Sequence, residues 1–575
     1  MRRLLTLLIL LAALALACNT LVPVAITETP VPLPTATPYP TATALPTATP
    51  RPTVSPTLAT PATPTDLYIS PGDVLIHPEP VLYSGDVVSF EVFAHDGGHK
   101  GLSGFPVAVY LGDPAAGKEL SQARAGTYGL GGRLEATFTW VWDTTGLAGA
   151  QTLTVVLDPT DEIQIGDEDT ANNVLTVPLT LLPRAAEPPV EQSAHWLTSE
   201  SACCVFRYIS GTAAERDIAS IEAAADEAIT FVEAGMGREL SSKLTFNLIN
   251  RLLGHGGFAS DTVTISYLDR DYAGGGLENV FRHESAHVLD RQMGGTRPAV
   301  ITEGLATYVA GGHFKYEPFA PRVAGLLAQT RYIPLRPLAD DFYSSQHETG
   351  YLEGAAFITY LVDTFGWDRF ATLLSAFQPA PKDSAMLDAG LRLTYNKGLD
   401  ELEADWLASL GALPPDARWQ TDIADTIDYY DTVRRYQQAD DPSAYFLTAW
   451  IPDIEQAVRR DITADYSRHP AAPENIALET LLVRAGRAIN EGDPATTGRC
   501  LEAVNAVLEA HGDFAADPLA HDYLLLTRVA LESGYEPQRI ALEGDSAVVT
   551  ATRLDGSTAL TELKLTRTNG VWRMN

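Results

Sequence analysis

Between residues 280 and 290 the chain reads Val280-Phe281-Arg282-His283-Glu284-Ser285-Ala286-His287-Val288-Leu289-Asp290, an H-E-x-x-H set in an apolar, helix-compatible run. Residues four apart share a helix face, so the His283 and His287 imidazoles project side by side. Two nitrogen donors on one face suit a tetrahedral zinc that needs one or two more ligands. Glu284 follows the first histidine, where it can reach a metal-activated water as general base. The bland alternative is two helical histidines with no metal between them.

The segment Ala299-Val300-Ile301-Thr302-Glu303-Gly304-Leu305-Ala306-Thr307-Tyr308-Val309 supplies a candidate third ligand. A helix here, after a turn at Gly294 and Gly295, runs antiparallel to the first and presents Glu303. A carboxylate completes a His-His-Glu set and leaves the fourth position for water. Asp290 is a rival third ligand.

H-E-x-x-H followed by E-G-x-A-x-Y (Glu303 to Tyr308) resembles the gluzincin metallopeptidases, specifically the peptidase MA-like group related to thermolysin and aminopeptidase N. The metzincin pattern needs Gly and then His at set offsets after the second ligand, and those offsets hold Asp290 and Met293. The resemblance spans residues 195–413. It implies an α+β thermolysin-like domain with one Zn²⁺ on His283, His287 and Glu303. It also implies peptide-bond hydrolysis with Glu284 as base. The stretch Gly350-Tyr351-Leu352-Glu353-Gly354 resembles the group's Y-x-x-G segment. In related aminopeptidases a tyrosine there donates to the oxyanion. Tyr351 is the nominee for that role, with His347 nearby. His255, in a Gly-rich turn, reads as a surface histidine.

At 575 residues the chain predicts several domains. A formal charge of −33 and a pI near 4.6 argue against nucleic acid or an anionic membrane surface as partner. The four cysteines, Cys18, Cys203, Cys204 and Cys500, make no disulfide scaffold. Cys203 and Cys204 read as small buried hydrophobes, with a bridge from one of them to Cys500 left open.

Residues 1–18 read as a secretory signal. Arg2 and Arg3 precede an apolar run too short for a comfortable membrane span. The ending Leu14-Ala15-Leu16-Ala17-Cys18 resembles the lipobox of bacterial lipoproteins, which implies lipidation of Cys18. Residues 19–66 form a Thr/Pro/Ala tract, whose proline content favours an extended stalk.

Residues 67–185 carry short alternating segments such as Val87–Phe93, Val107–Leu111 and Leu134–Trp140 between Gly/Asp/Pro turns. Period-two runs at this spacing predict an antiparallel β-sandwich. The details (Asp66-Leu67, Gly85-Asp86, Trp142-Asp143, Asn172-Asn173) resemble the CARDB type of immunoglobulin-like domain, found in cell-adhesion contexts. The turn with Asp161, Glu162, Asp167, Glu168 and Asp169 offers oxygen ligands of the kind Ca²⁺ takes. It lacks EF-hand spacing and reads first as a solvated turn.

Residues 186–194 read as a linker. The peptidase-like region opens with predicted strands Val205–Ile209, Leu244–Ile249 and Thr262–Tyr267 and a helix Ala213–Ala234. Thr262–Tyr267 is the expected sheet edge for strand addition by a substrate. Residues 414–575 read as helices, with a tetratricopeptide-like hairpin at Leu478–Leu508, then a terminal antiparallel sheet. Their role is not legible from sequence.

The reading is a lipid-anchored, exported zinc endopeptidase of the bacterial cell envelope, facing outside the cytoplasm. Its partners are peptide or protein substrates, the membrane through Cys18, and an envelope partner of the sandwich. An endopeptidase is favoured because no G-A-M-E-N-like strand is present to grip a substrate amine. The competing readings are a non-catalytic adhesion protein with a zinc-binding peptidase-like domain, and a zinc hydrolase of another substrate class.

Overall fold

The computed structural model describes residues 66–575, apart from 98–101, 128–133, 164–166, 168, 255, 274, 314, 344–346, 447, 448 and 450–452. Cys18, the Thr/Pro tract, His255 and Glu168 lie outside the described residues. The chain is multidomain, with mixed helix and sheet. Among the described residues no helix is long and apolar enough to cross a membrane.

The first region holds β1 (Leu67–Tyr68), β2 (Val74–His77), β3 (Leu82–Tyr83), β4 (Val87–Asp96), β5 (Pro106–Leu111), β6 (Lys118–Arg124), β7 (Gly126–Thr127), β8 (Leu134–Asp143), β9 (Gly149–Leu157) and β10 (Val174–Leu182). One sheet runs β1-β4-β8-β7 with β2 also on β4, and the other runs β3-β10-β9-β5-β6. Alternation along β8 turns Phe138 and Trp142 inward, against Phe90, Val107 and Leu153 from both sheets. The predicted sandwich is therefore present. In the acidic turn Glu162 pairs with Arg124 at 2.9 Å, and Asp167 accepts from Asn173 Nδ2 at 2.6 Å.

The linker is not loose. A single turn, α1 (Pro189–Gln192), follows Glu187, which is 5% exposed. Arg468, some 280 residues on, holds it: its guanidinium meets Asp86 Oδ2 at 2.8 Å, Glu187 Oε1 at 3.3 Å and Glu191 Oε2 at 2.9 Å. Local composition showed only the prolines, whereas the clamp is a long-range ion network. A buried charge stripped of its partner is costly, by about 3–5 kcal/mol. Arg468→Met should therefore lower unfolding free energy by about that amount, read from chemical denaturation followed by tryptophan fluorescence.

The next region begins with β11 (Trp196–Glu200), β12 (Cys204–Ile209), α2 (Ala213–Met236), β13 (Leu244–Ile249), β14 (Gly257–Ala259) and β15 (Val263–Ser266). The sheet order is β11-β12-β13-β15-β14, with β12, β13 and β15 mutually parallel and β11 and β14 antiparallel to their neighbours. Helix α2 covers one face through Ile221, Ala225 and Ile229, buried at helical spacing. The expected edge strand is corrected here. Thr262–Tyr267 contains β15, which lies inside the sheet, and the edge is β14 from the Gly-rich stretch that reads as a turn. Three residues with one glycine carry too little pattern to announce a strand.

Helices follow: α3 (Leu277–Gln292), α4 (Ala299–Ala310), α5 (Phe319–Ala328), α6 (Leu335–Asp340), α7 (His347–Phe365), α8 (Trp367–Leu374), α9 (Asp383–Tyr395) and α10 (Leu399–Gly411). Gly294 and Gly295 take positive φ (+70° and +88°), which turns the chain between α3 and α4 as expected. Helices α4 and α7 cross where two glycines meet. A Cβ on Gly304 would lie 2.7 Å from the Gly354 carbonyl carbon, and one on Gly354 would lie 2.8 Å from the Val300 oxygen. This close crossing brings Glu303 of α4 near Tyr351 of α7.

The C-terminal region adds α11 (Ala417–Asp440), α12 (Ile454–Arg460), α13 (Ala464–Ser467), α14 (Pro473–Glu491), α15 (Pro494–Glu509) and α16 (Pro518–Glu532). An antiparallel meander closes it: β16 (Tyr535–Glu543), β17 (Ser546–Arg553), β18 (Thr561–Thr568) and β19 (Val571–Met574). Asp493 and Asp517 cap α15 and α16, each with a proline at the first turn.

This region is not a separate lobe. Trp140 of the sandwich, Ile209 and Leu253 of the central region, and Ile454 and Tyr466 of the C-terminal region share one apolar cluster. Trp140 Nε1 donates to Asp465 Oδ2 at 2.6 Å. The cysteine expectation is also corrected: Cys203 and Cys204 are disulfide-bonded to each other, and Cys500 is a free thiol buried in the helical core around α15.

Candidate metal centre

Helix α3 is apolar on the side that meets the sheet and α4, so Phe281 and Leu289 are buried and draw the histidine face in with them. His283 Nε2 and His287 Nε2 lie 3.1 Å apart. Glu303 Oε2, from α4, is 3.4 Å from the first and 3.1 Å from the second. His283 and Glu303 are each 7% exposed. Zinc bonds of about 2.0–2.2 Å in a tetrahedron place ligand atoms about 3.3 Å apart. The triangle therefore has the size such an ion requires. Three lone-pair atoms aimed at one point in a buried site also need a cation or protons between them. The donor set thus fits Zn²⁺.

Burial alone would raise Glu303, but the His287 and His283 imidazoles hold its carboxyl well below the usual range. Tyr343 donates to its other oxygen, Oε1, at 2.6 Å. That leaves Oε2 for the histidine side and fixes the carboxylate's rotation. Tyr343 was not singled out from sequence; it sits between helices, outside any motif, and only the fold brings it here.

Asp290, the rival ligand, is placed elsewhere. It is 4% exposed and its Oδ1 lies 3.3 Å from Arg297 Nε. Helical spacing leaves it on the histidine face, one turn past His287, but Arg297 engages its carboxylate there through Nε at 3.3 Å and Nη1 at 3.4 Å.

Glu284, 6% exposed, lies beside the donor triangle. Burial pushes its carboxyl up to about 7, His283 opposes the rise, and the Glu303 charge adds to it. The edge strand passes directly over it: a Cβ on Gly257 would come 3.0 Å from Glu284 Oε1. A side chain at this position would press the Glu284 carboxylate aside by a few tenths of an ångström. Arg291, one helix turn beyond His287, donates to the carbonyls of Ala259 at 3.0 Å and Ser260 at 2.8 Å, and so ties α3 to the same edge.

Tyr351, 6% exposed, lines the cavity with its ring centroid 5.9 Å from that of His283. It stacks at 3.9 Å on His313, which is also buried and was not anticipated as part of the site. His313 Nδ1 is 3.0 Å from Glu348 Oε2, and Arg434 Nη2 donates to Glu348 Oε1 at 3.3 Å. His347 opens α7; its side chain is outside the described residues. The cavity over these groups measures about 280 Å³, with Gly257 and Phe258 on one wall and Phe446 from the C-terminal region on another.

The second group of metal-capable side chains among the described residues, Cys203, Cys204 and Asp226, has its two sulfurs joined in the disulfide. A disulfide offers no thiolate to a metal.

No family model and no curated protein matches the chain. Among solved structures, a domain named as part of a cell surface protein of Methanosarcina acetivorans is similar at 20% identity over 21% of this chain and 94% of that one, with a TM-score of 0.16.

Proposed function

We propose that the chain is a zinc metallopeptidase of the gluzincin, peptidase MA-like type, carried outside the cytoplasm on a lipid-anchored stalk. The single observation behind this is the buried triangle of His283, His287 and Glu303 donors with the Glu284 carboxylate beside it. His283, His287 and Glu303 would hold the ion, and a Zn²⁺ bound there would supply Lewis acidity toward a water and the scissile carbonyl. Glu284 takes the water's proton and returns it to the leaving amine. An extended substrate lies along β14, where Gly257 gives it access to Glu284. Tyr351 donates to the carbonyl oxygen as charge develops on it. The sandwich, on the reading that it is CARDB-like, presents the peptidase region rather than acting alone.

Metal analysis of the purified chain, followed by a peptide-library digest with and without chelator, tests the reading. One equivalent of zinc and chelator-sensitive cleavage are expected. Zinc without cleavage would favour the adhesion alternative, and absence of zinc would remove both enzyme readings. Tyr351→Phe is expected to lower kcat by about 10²–10³-fold, the usual loss for one oxyanion donor, with KM little changed. A wild-type kcat in that variant would take Tyr351 out of the mechanism.

A further inference from the structure

A second cavity, of about 320 Å³, lies where the linker, the central region and the C-terminal meander meet, and it shares no lining residue with the metal centre. We infer that this cavity binds a small neutral hydroxylated ligand, of the saccharide or polyol class. The turn α1 closes one side through Val190, and the start of α2 closes a second. Strand β16 and the turn that follows β17 close the third. The volume falls within the range of about 300–1,000 Å³ of small-molecule pockets.

The cavity wall holds a buried donor with nothing to bond. Arg270 is 1% exposed. Its Nε donates to Glu479 Oε2 at 2.5 Å, and its Nη1 donates to Glu536 Oε1 at 2.8 Å and to the Pro537 carbonyl at 2.9 Å. Its Nη2 is buried and has no acceptor. An unmade hydrogen bond on a buried guanidinium is costly, so this nitrogen calls for an oxygen from an occupant of the cavity. Asn250 lines the same space, fixed by its backbone N–H to the Tyr466 carbonyl at 2.8 Å. Its half-buried side-chain amide has no partner among the described residues, nor do the Ser557 and Thr558 hydroxyls. The amide both donates and accepts, as a hydroxylated ligand does.

The charges around the cavity are already paired. Arg468 is held by Asp86, Glu187 and Glu191, and Asp269 by Arg216. Arg553 pairs with Asp555, and Glu536 with Arg270. His469 Nδ1 lies 3.1 Å from the Ser467 carbonyl, with Nε2 3.9 Å from Glu536. An ionic ligand would enter a partly buried site that has no free counter-charge, which is unfavourable. A neutral ligand with several hydroxyls gives Arg270 Nη2 its acceptor and answers both ends of the Asn250 amide. Val190 and Leu268 add an apolar side for the C–H face of a sugar ring.

The test is saturation-transfer NMR with a thermal-melt titration on the full chain in detergent. The free probes are glucose, galactose, mannose and N-acetylglucosamine, with glucuronic acid as the charged comparison. The same neutral sugars are offered as terminal units of immobilised glycans. At least one neutral probe should bind with a Kd of about 1 mM or tighter. It should raise Tm progressively, since a ligand that holds three regions together favours the folded state. Glucuronic acid should bind at least about 10-fold more weakly. Chelator should leave binding unchanged, because the metal centre is a separate cavity. Binding of the free sugars alone assigns the site to free saccharides, and binding of the immobilised forms as well assigns it to glycan ends. Asn250→Leu, close in size but without donor or acceptor, should weaken binding about 10-fold or more. Arg270→Lys keeps a cation between Glu479 and Glu536 but has no second guanidinium nitrogen, and should weaken it likewise. Absence of binding by every neutral probe, tighter binding of glucuronic acid, or undiminished binding by a folded Asn250→Leu overturns the proposal.

Discussion

Glu284→Gln is expected to keep its zinc and lose its hydrolysis. Glutamine has nearly the same shape but cannot accept the water's proton, and a positioned general base contributes about 10²–10⁴-fold. The geometry separates the two properties. The donor atoms belong to His283, His287 and Glu303, all within one cluster, and Glu284 is not among them. Glu284 is instead packed under Gly257 of the edge strand, where a water and a substrate carbonyl would meet. The measurement is zinc stoichiometry by elemental analysis beside turnover of a library-selected peptide. Stoichiometric zinc with wild-type turnover would sink the mechanism. Loss of both would mean that Glu284 serves the metal site rather than the chemistry.

The parts of this site that the sequence disclosed are those set by local spacing. His283, Glu284 and His287 follow from one helix period, and Glu303 from a short antiparallel return after two glycines. Sandwich strands such as β8 were legible because one face is buried and the pattern alternates. What stayed hidden depends on long-range packing. Tyr343 reaches Glu303 from 40 residues away, and His313 finds Glu348 across 35. Strand β14 has three residues and no period to detect. Phe446 lies in a stretch of no evident pattern, and its place in the cleft comes from Gly254 and Arg251 gripping its segment. The ion network on the linker was hidden for the same reason, since Arg468 is distant in sequence from the acids it gathers.

Removing a ligand should do what removing the base does not. Glu303→Ala leaves two imidazole nitrogens 3.1 Å apart in a buried site, with no carboxylate to balance a divalent ion. Zinc needs at least three protein ligands in a catalytic site, so affinity is expected to fall by several orders of magnitude and hydrolysis with it. The Tyr343 hydroxyl, 2.6 Å from Glu303 Oε1, only orients that carboxylate. Tyr343→Phe should therefore weaken zinc by about 10–100-fold, the usual effect of a lost outer partner, and activity should return when zinc is added. Asp290→Asn is the discriminating control. Its carboxylate is turned to Arg297 rather than to the histidines, so it can cost stability but should leave zinc affinity near wild type. Competition with a chromogenic chelator measures all three. The order expected is Glu303→Ala far weaker than Tyr343→Phe, and Tyr343→Phe weaker than Asp290→Asn. If Asp290→Asn lost its zinc while Glu303→Ala kept it, the third ligand would be Asp290, and the turn between α3 and α4 would have to rearrange to let it reach the ion.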